Sequence, residues 1–381
     1  MKRILLYILI FATVSCKSQE QEGQYFKLPI SPAVDTTKLE NQEILSIAKN
    51  FLKTKNQSLF KNKYWLESDF EKYQYPYADI YRIENGNHGV NTYKPILMEL
   101  VDIDDQEKML KIGFIGYNEA TEESLIRGIY NIVAIKVNNN SWYLKRAIDY
   151  QTKNWAVHKE SSLTYILPQG KTANHNEILQ QKEDIKSICS FFGCDPIEIT
   201  YYSCNSPKQV FEVKGFDYLP NMYFSKTGGM ADYGNIIYSG NNSEYYTHEI
   251  VHIYTKKLFP NIKAILDEGI ATYIGGSGKF NYQWHRDKMA NYLMDSTINL
   301  AEHLKPYERL YVEAETPIPY LIGALICERT NRIYGKQKLF ELLNSEKNIW
   351  ESLNDVGLTR QNLTSELKNE IKLTTTLYMK S

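Results

Sequence analysis

Residues 246–273 read YTHEIVHIYTKKLFPNIKAILDEGIATY, and the predicted fold is inferred mainly from this stretch. His248 and His252 are four residues apart, so on a helix both side chains lie on one face and can direct ring nitrogens at one metal ion. Glu249 follows His248 directly, and from there its carboxylate can reach a water molecule in an open coordination position. The stretch therefore predicts a helix that carries two metal ligands and a general base.

A second helix is predicted beyond Pro260, because proline ends the first one. It runs over residues 262–273 and is followed by the glycines at 275 and 276. Two helices joined by a turn of this length can fold back on each other. Glu268, on the second helix, can then become a third ligand of the same ion.

The two motifs together, HEIVH at 248–252 and DEGIA at 267–271, resemble those of the gluzincin metallopeptidases. The resemblance is greatest to the aminopeptidase-N-like enzymes and the broader peptidase-MA-like group, and it covers roughly residues 175–370. The spacing between the motifs is a few residues shorter here than in the aminopeptidase-N-like enzymes. The resemblance implies a thermolysin-like catalytic domain, mostly helical, with a small sheet.

The resemblance also implies roles for individual residues. One Zn²⁺ per chain would be held by His248, His252 and Glu268, and the ion would polarise the carbonyl of a peptide or protein substrate. Glu249 would take a proton from the attacking water and pass it to the leaving amine. Tyr320 begins the run YLIGA and matches a tyrosine that stabilises the oxyanion in the family. The chain has thirty tyrosines, so a structural role for Tyr320 is the alternative.

Residues 228–238, GGMADYGNIIY, resemble the strand that lines the substrate cleft of these enzymes. Gly229, Met230, Ala231 and Asp232 would then contact an extended peptide that adds to the sheet as a further strand. The family glutamate that grips the free amino group of a substrate corresponds to Ala231, with Asp232 as a candidate substitute. Endopeptidase and aminopeptidase action therefore both remain open.

A different class of function is the alternative hypothesis. A non-catalytic binding module could keep the same scaffold, with or without zinc. Glu249 favours catalysis, because a zinc ion needed only for stability has no use for a carboxylate at that position. A zinc hydrolase acting on a substrate other than a peptide also remains open.

The N-terminal residues 1–16, MKRILLYILIFATVSC, predict a signal peptide. Two basic residues precede an apolar run that is too short to span a bilayer. The final residues resemble the cleavage box of bacterial lipoproteins, which implies export and attachment to the cell envelope through lipid on Cys16. An ordinary signal peptide with an incidental cysteine is the alternative. Residues 17–37 are polar and contain two prolines, which predicts a tether.

The remainder predicts an α+β fold in two domains. Residues 38–157 form a small accessory domain, in which a helix precedes an antiparallel meander. Residues 160–375 form the gluzincin-like metallopeptidase domain, with strands first and helices afterwards. The predicted strands are residues 93–102, 108–117, 128–137 and 142–150 in the first domain, and 196–202, 220–225 and 234–239 in the second.

The net charge and the cysteines limit which partners and which disulfides the sequence predicts. The net charge of −1 indicates no nucleic-acid partner, and the oligomeric state is left open. Cys189, Cys194 and Cys204 are close in sequence, and an exported protein meets an oxidising compartment. A disulfide among them and buried free thiols are both compatible with the sequence.

Overall fold

The computed structural model describes residues 26–373, apart from 87–88, 120, 138–140 and 224–225. The described part is a mixture of helices and two larger sheets, which agrees with the predicted α+β class. The predicted signal peptide, Cys16 and the first part of the predicted tether lie outside the described residues. None of the described helices is both long and apolar enough to cross a bilayer.

The first sheet is an antiparallel meander, as the sequence predicts. Its strands follow one another in the order β1-β2-β3-β4, and the helices α1 and α2 precede them in the chain. These elements are α1 (Leu39–Thr54), α2 (Glu67–Tyr73), β1 (Lys94–Asp102), β2 (Glu107–Asn118), β3 (Glu123–Val137) and β4 (Ser141–Arg146). On α1, Ile44, Ala48 and Phe51 recur at helical spacing and are fully buried, which places this face of the helix in the core. Residues 147–150, predicted as the end of the last strand, instead enter the short helix α3 (Ile148–Gln151).

The second sheet contains parallel and antiparallel pairs in the order β5-β6-β7-β10-β9. It is built from β5 (Ala156–Glu160), β6 (Leu163–Leu167), β7 (Ile199–Ser203), β9 (Gly229–Asp232) and β10 (Ile236–Ser239). The helices α4 (His175–Phe192) and α5 (Pro207–Lys214) lie between its strands in the chain. The strand β9 pairs with β10 alone and therefore forms an edge of the sheet.

Between residues 247 and 373 the chain is mainly helical. It contains α6 (Thr247–Leu258), α7 (Ala264–Gly275), α8 (Tyr282–Asp295), α9 (Ile318–Leu343), α10 (Ile349–Asn354) and α11 (Leu363–Glu370), with the small hairpin β11 (Tyr311–Val312) and β12 (Thr316–Pro317) before α9. The helix α9 is interrupted at Gly335, where φ is +81°. Buried side chains of these helices, of α4 and of the second sheet form one continuous apolar core.

Three expectations about chain organisation need correction. The described end of the predicted tether packs on the first sheet: Leu28 and Val34 are buried, and Ile30 bridges to Leu97 of β1. The strand β8 (Phe216–Tyr218), from the predicted second domain, pairs with β3 of the first sheet. Residues 220–223, predicted as strand, form a short 3₁₀ helix. We call residues 26–146 together with β8 the first lobe, and the remaining described residues the second lobe.

A buried ion cluster lies where the lobes meet. The Lys214 ammonium contacts the carboxylates of Asp79 and Asp232, and the Arg146 guanidinium contacts Asp79 at 3.3 Å. Only 3% of each basic side chain is exposed. Two cations and two carboxylates balance in charge, which is the condition under which such groups can be buried.

Candidate metal centre

The helix α6 presents its histidines to the interior as the motif predicts. Every residue from Thr247 to Thr255 is buried, so this helix runs through the core of the second lobe. The Nε2 atoms of His248 and His252 lie 3.2 Å apart. Their spacing of four residues has therefore brought both rings to one point.

Glu268 completes a group of three. Its helix, α7, packs against α6 with the chain reversing at 259–263, and Oε2 of Glu268 lies 3.3 Å from Nε2 of His248 and 3.6 Å from Nε2 of His252. Ligands held at 2.0–2.1 Å from a tetrahedral zinc ion are about 3.3 Å from one another. The His₂Glu donor set and the spacing of its atoms therefore both fit zinc.

Groups behind the histidines fix the orientation of their rings. His248 Nδ1 lies 2.7 Å from the carbonyl oxygen of Gly276, and because a carbonyl can only accept, Nδ1–H is the donor and Nε2 is left free to bind a metal. Asp267 Oδ1 lies 3.0 Å from Nδ1 of His252, a close ionic contact although this nitrogen makes no well-aligned hydrogen bond. Asp267 also accepts a hydrogen bond of 2.6 Å from Thr255.

The charges of this group stabilise one another. Burial alone would raise the pKa of the Glu268 carboxyl, but the two histidines outweigh it and lower this pKa to about 2. Burial alone would lower the pKa of His252, but contacts with Asp267 and Glu268 outweigh it and raise this pKa to about 10. The carboxylate of Glu268 is held in its charged form, and His252 is in contact with carboxylates. The pocket therefore favours a cation.

Glu249 lies in the same pocket, against the edge strand. Its Oε2 accepts a hydrogen bond of 2.7 Å from the backbone N–H of Ala231. The N–H and C=O of Ala231 therefore point away from β10 and towards the metal centre, and Nζ of Lys256 donates to that C=O at 3.3 Å. The cavity measures about 380 Å³, and its walls include the three candidate ligands, Glu249 and residues 228–231.

Tyr320 also lines this cavity. Its ring is nearly parallel to that of His248, with 5.9 Å between the ring centroids and 12° between the planes. Burial and the carboxylates of Glu268 and Glu249 raise the pKa of the phenol well above its usual range. Tyr320 therefore keeps its proton and can donate a hydrogen bond into the cavity.

The predicted substrate-contacting residues divide into two groups. Gly229, Met230 and Ala231 line the cavity, whereas Asp232 does not. Successive side chains of a strand point to opposite faces, and that of Asp232 points to the ion cluster between the lobes, where it pairs with Lys214. The prediction that Asp232 replaces the amino-group clamp is therefore wrong.

Several cavity residues were not among those predicted from the sequence. Lys256, Tyr307, Ser277 and Gly278 line the cavity with the predicted residues. Lys256 is one helical turn beyond His252, so its helix position could have indicated it. Tyr307, from the segment before β11, is placed by tertiary packing and could not have been found.

The cysteines of the described region are all free thiols. Cys189 and Cys194 lie near each other at the end of α4, while Cys204 and Cys327 are buried elsewhere. Of the two alternatives left open by the sequence, the structure shows the unbridged one.

Comparisons of the sequence with protein-family models and with curated proteins found no significant match. The function is therefore inferred from the residues and geometry of the site.

Proposed function

We propose that this protein is a zinc-dependent peptidase of the gluzincin type. In this proposal the second lobe is a thermolysin-like catalytic domain, one Zn²⁺ is held by His248, His252 and Glu268, and the substrate is a peptide or protein. We further propose that the chain is exported and anchored to the bacterial cell envelope through lipid on Cys16.

One observation carries the proposal of a zinc site. Three buried ligand atoms from two helices lie 3.2–3.6 Å apart, and no other group of His, Cys, Asp or Glu in the described residues is arranged to hold a metal ion. Because Nδ1–H of His248 is engaged by the Gly276 carbonyl, Nε2 of His248 carries a lone pair, and this lone pair faces Nε2 of His252 and Oε2 of Glu268 in a buried site. A shared cation accounts for the arrangement.

The chemistry follows from the groups around that point. When bound there, zinc would supply Lewis-acid polarisation of a substrate carbonyl and lower the pKa of a water molecule to about 7. Glu249 is a carboxylate in the cavity wall that is not among the three candidate ligands, and it would accept the proton of the attacking water and return it to the leaving amine. The Ala231 N–H, which holds Glu249, orients the carboxylate for this transfer.

The remaining groups would bind substrate and stabilise charge. The backbone of β9 at Gly229 faces the cavity and can pair with an extended peptide, whereas the Ala231 N–H is engaged by Glu249 and its C=O by Lys256. Tyr320 lines the cavity and would donate its phenolic O–H in a hydrogen bond to the developing oxyanion. Lys256 would have to release the Ala231 carbonyl for the peptide to pair there.

The competing hypothesis, a binding module on the same scaffold, does not require Glu249 to face the cavity. The buried position of Glu249, only 8% exposed, therefore favours catalysis. Burying an ionisable group without need costs stability.

The test begins with metal content. Purified protein is dialysed and analysed for zinc as wild type, Glu268→Ala and the control Glu346→Ala, which removes an exposed carboxylate of the same lobe. We expect one zinc per chain in the wild type and the control, and little in Glu268→Ala. Cleavage of a peptide library should then be lost in Glu249→Gln, with its zinc retained. No zinc in the wild type would overturn the proposal, and zinc without cleavage would favour the binding module.

A further inference from the structure

The first lobe contains a cavity that is larger than the candidate metal centre. Its volume is about 800 Å³, and it lies between the end of α1 and the start of α2. The aromatic side chains in its walls are Phe60, Tyr64, Trp65, Phe70 and Tyr143. Phe60 is 74% exposed, so an apolar ring stands in solvent at the mouth of an aromatic cavity. A concave site of this size with mostly aromatic walls is typical of ligand-binding cavities.

Three aromatic rings connect this cavity to the end of β9, the strand that lines the candidate metal centre. The ring centroid of Phe60 lies 5.3 Å from that of Tyr75, and the centroid of Tyr75 lies 4.5 Å from that of Tyr233. Tyr233 belongs to the turn between β9 and β10, and it is 47% exposed. We call Phe60, Tyr75 and Tyr233 the aromatic row. The row begins where β9 ends and finishes at the cavity.

The contact between the lobes holds the row in place. A Cβ on Gly234, next to Tyr233, would lie 2.4 Å from the carbonyl oxygen of Lys72, so this turn is seated directly on the end of α2. The backbone at Gly234 has φ of +76°, which only glycine adopts at little cost. On the other side of Tyr233, Asp232 is fixed by its ion pair with Lys214. The position of Tyr233 is therefore determined from both neighbours.

The length of the row suits an extended chain. Tyr233 lies two residue steps beyond Ala231, and ring-centroid distances of 4.5 and 5.3 Å follow, so these steps from the Glu249 contact to Phe60 together measure about 17 Å. An extended polypeptide covers this distance with about five residues. A substrate peptide paired with the edge of β9 would leave the strand at Tyr233. The aromatic row begins at this residue and leads to the cavity of the first lobe.

We propose that the aromatic row and the 800 Å³ cavity form an accessory site for polypeptide substrates, which binds apolar or aromatic side chains about five residues from the bond that is cut. This inference rests on the proposed peptidase function and gives the first lobe a role in substrate selection. Continuity with the edge strand favours a polypeptide over a sugar, the other ligand that binds aromatic rings.

The test compares two peptides with the same central cleavage sequence. The long peptide carries a phenylalanine five residues from the cleaved bond on both sides, and the short peptide ends before these positions. In the variant Phe60→Ala/Tyr75→Ala, we expect KM for the long peptide to rise about tenfold, with kcat and all constants for the short peptide unchanged. Tyr117→Ala, which removes another exposed ring of the first lobe, is the control and should change neither peptide.

Binding of the labelled long peptide to Glu249→Gln, with and without the double substitution, separates the two proposals. Weaker binding with the double substitution supports the accessory site even when no peptide is cut, in which case only the peptidase function fails. Cleavage of both peptides with equal KM in wild type and double variant overturns the accessory site alone. Row-dependent binding of soluble oligosaccharides, with no effect on peptides, also overturns it and assigns the row to sugars.

Discussion

At the scale of single residues, the candidate metal centre depends on what stands behind each ligand. The carbonyl of Gly276 fixes the tautomer of His248, and Asp267 lies against the distal nitrogen of His252. Asp267 is adjacent to the candidate ligand Glu268, so one turn of α7 supplies both a candidate ligand and the support of another. The order Asp-Glu in this motif therefore has a physical reason.

Replacing Asp267 by asparagine should weaken metal binding without unfolding the protein. The amide keeps the size of the side chain and can still accept from Thr255, but it no longer offers a charge to the imidazole of His252. Loss of such support typically lowers metal affinity about 10- to 100-fold. Competition for zinc with a chelator of known affinity measures the change. Asp287→Asn, an exposed position on α8, is the control, and equal affinities of the two variants would contradict the role given to Asp267.

At the scale of elements, the geometry of the site depends on a close contact between α7 and α9. A Cβ added to Gly269 would lie 2.3 Å from the carbonyl carbon of Gly323, and one added to Gly323 would lie 2.3 Å from the carbonyl oxygen of Ile265. Gly269 follows the ligand Glu268, and Gly323 lies one turn beyond Tyr320. The two glycines let the helices approach until Tyr320 and Glu268 border one cavity.

Gly269→Ala should therefore destabilise the fold by about 1–3 kcal/mol, since backbone atoms cannot move aside as a side chain would. It should also lower zinc affinity, because separating the helices displaces Glu268. Gly323→Ala disturbs the same contact from a helix without a ligand, and it should cost similar stability with a smaller effect on zinc. Urea denaturation and zinc titration of both variants test this. Unchanged stability in both variants would show that α7 and α9 can move apart without a cost in free energy.

Local patterns in the sequence predicted most helices and strands, but few of the contacts between distant parts of the chain. The helices α6 and α7 and the approach of His248 to His252 were predictable, because the spacing of side chains along a helix is a local property. The place of Glu268 beside them was predicted from the resemblance of its motif, since it depends on how α7 folds back on α6. The strand pattern also predicted the meander. The pairing of β8 with β3, the packing of Leu28 and the direction of Asp232 were not predictable, because each depends on residues far away in the chain. The residue types at 220–223 predicted a strand, but these residues form a 3₁₀ helix, because tertiary packing can override local strand propensity.

At the scale of the whole molecule, the two lobes are joined by polar contacts as well as by β8, which pairs with the first sheet although its neighbours in the chain belong to the second lobe. The cluster of Lys214, Arg146, Asp79 and Asp232 draws one carboxylate from the first lobe and one from the edge strand β9. The Lys214 ammonium also lies 4.9 Å from the ring centroid of Tyr238 on β10. This cluster therefore sets the position of the strand on which substrate would bind, relative to the lobe that would select it.

Lys214→Met tests that coupling. Removing the ammonium takes its ion-pair partner from the buried carboxylate of Asp232, while Asp79 keeps Arg146, and breaking a buried pair in this way costs about 3–5 kcal/mol. The free energy of unfolding in urea should fall by this amount. Lys208→Met is the matched control, because Lys208 pairs with Glu212 on the same helix but in solvent, where such pairs contribute less than about 1 kcal/mol. Zinc content per folded chain should stay at the wild-type value in both variants, because the ligands lie on α6 and α7. Equal stabilities of the two variants would mean that the lobes are held together by apolar packing and strand pairing alone.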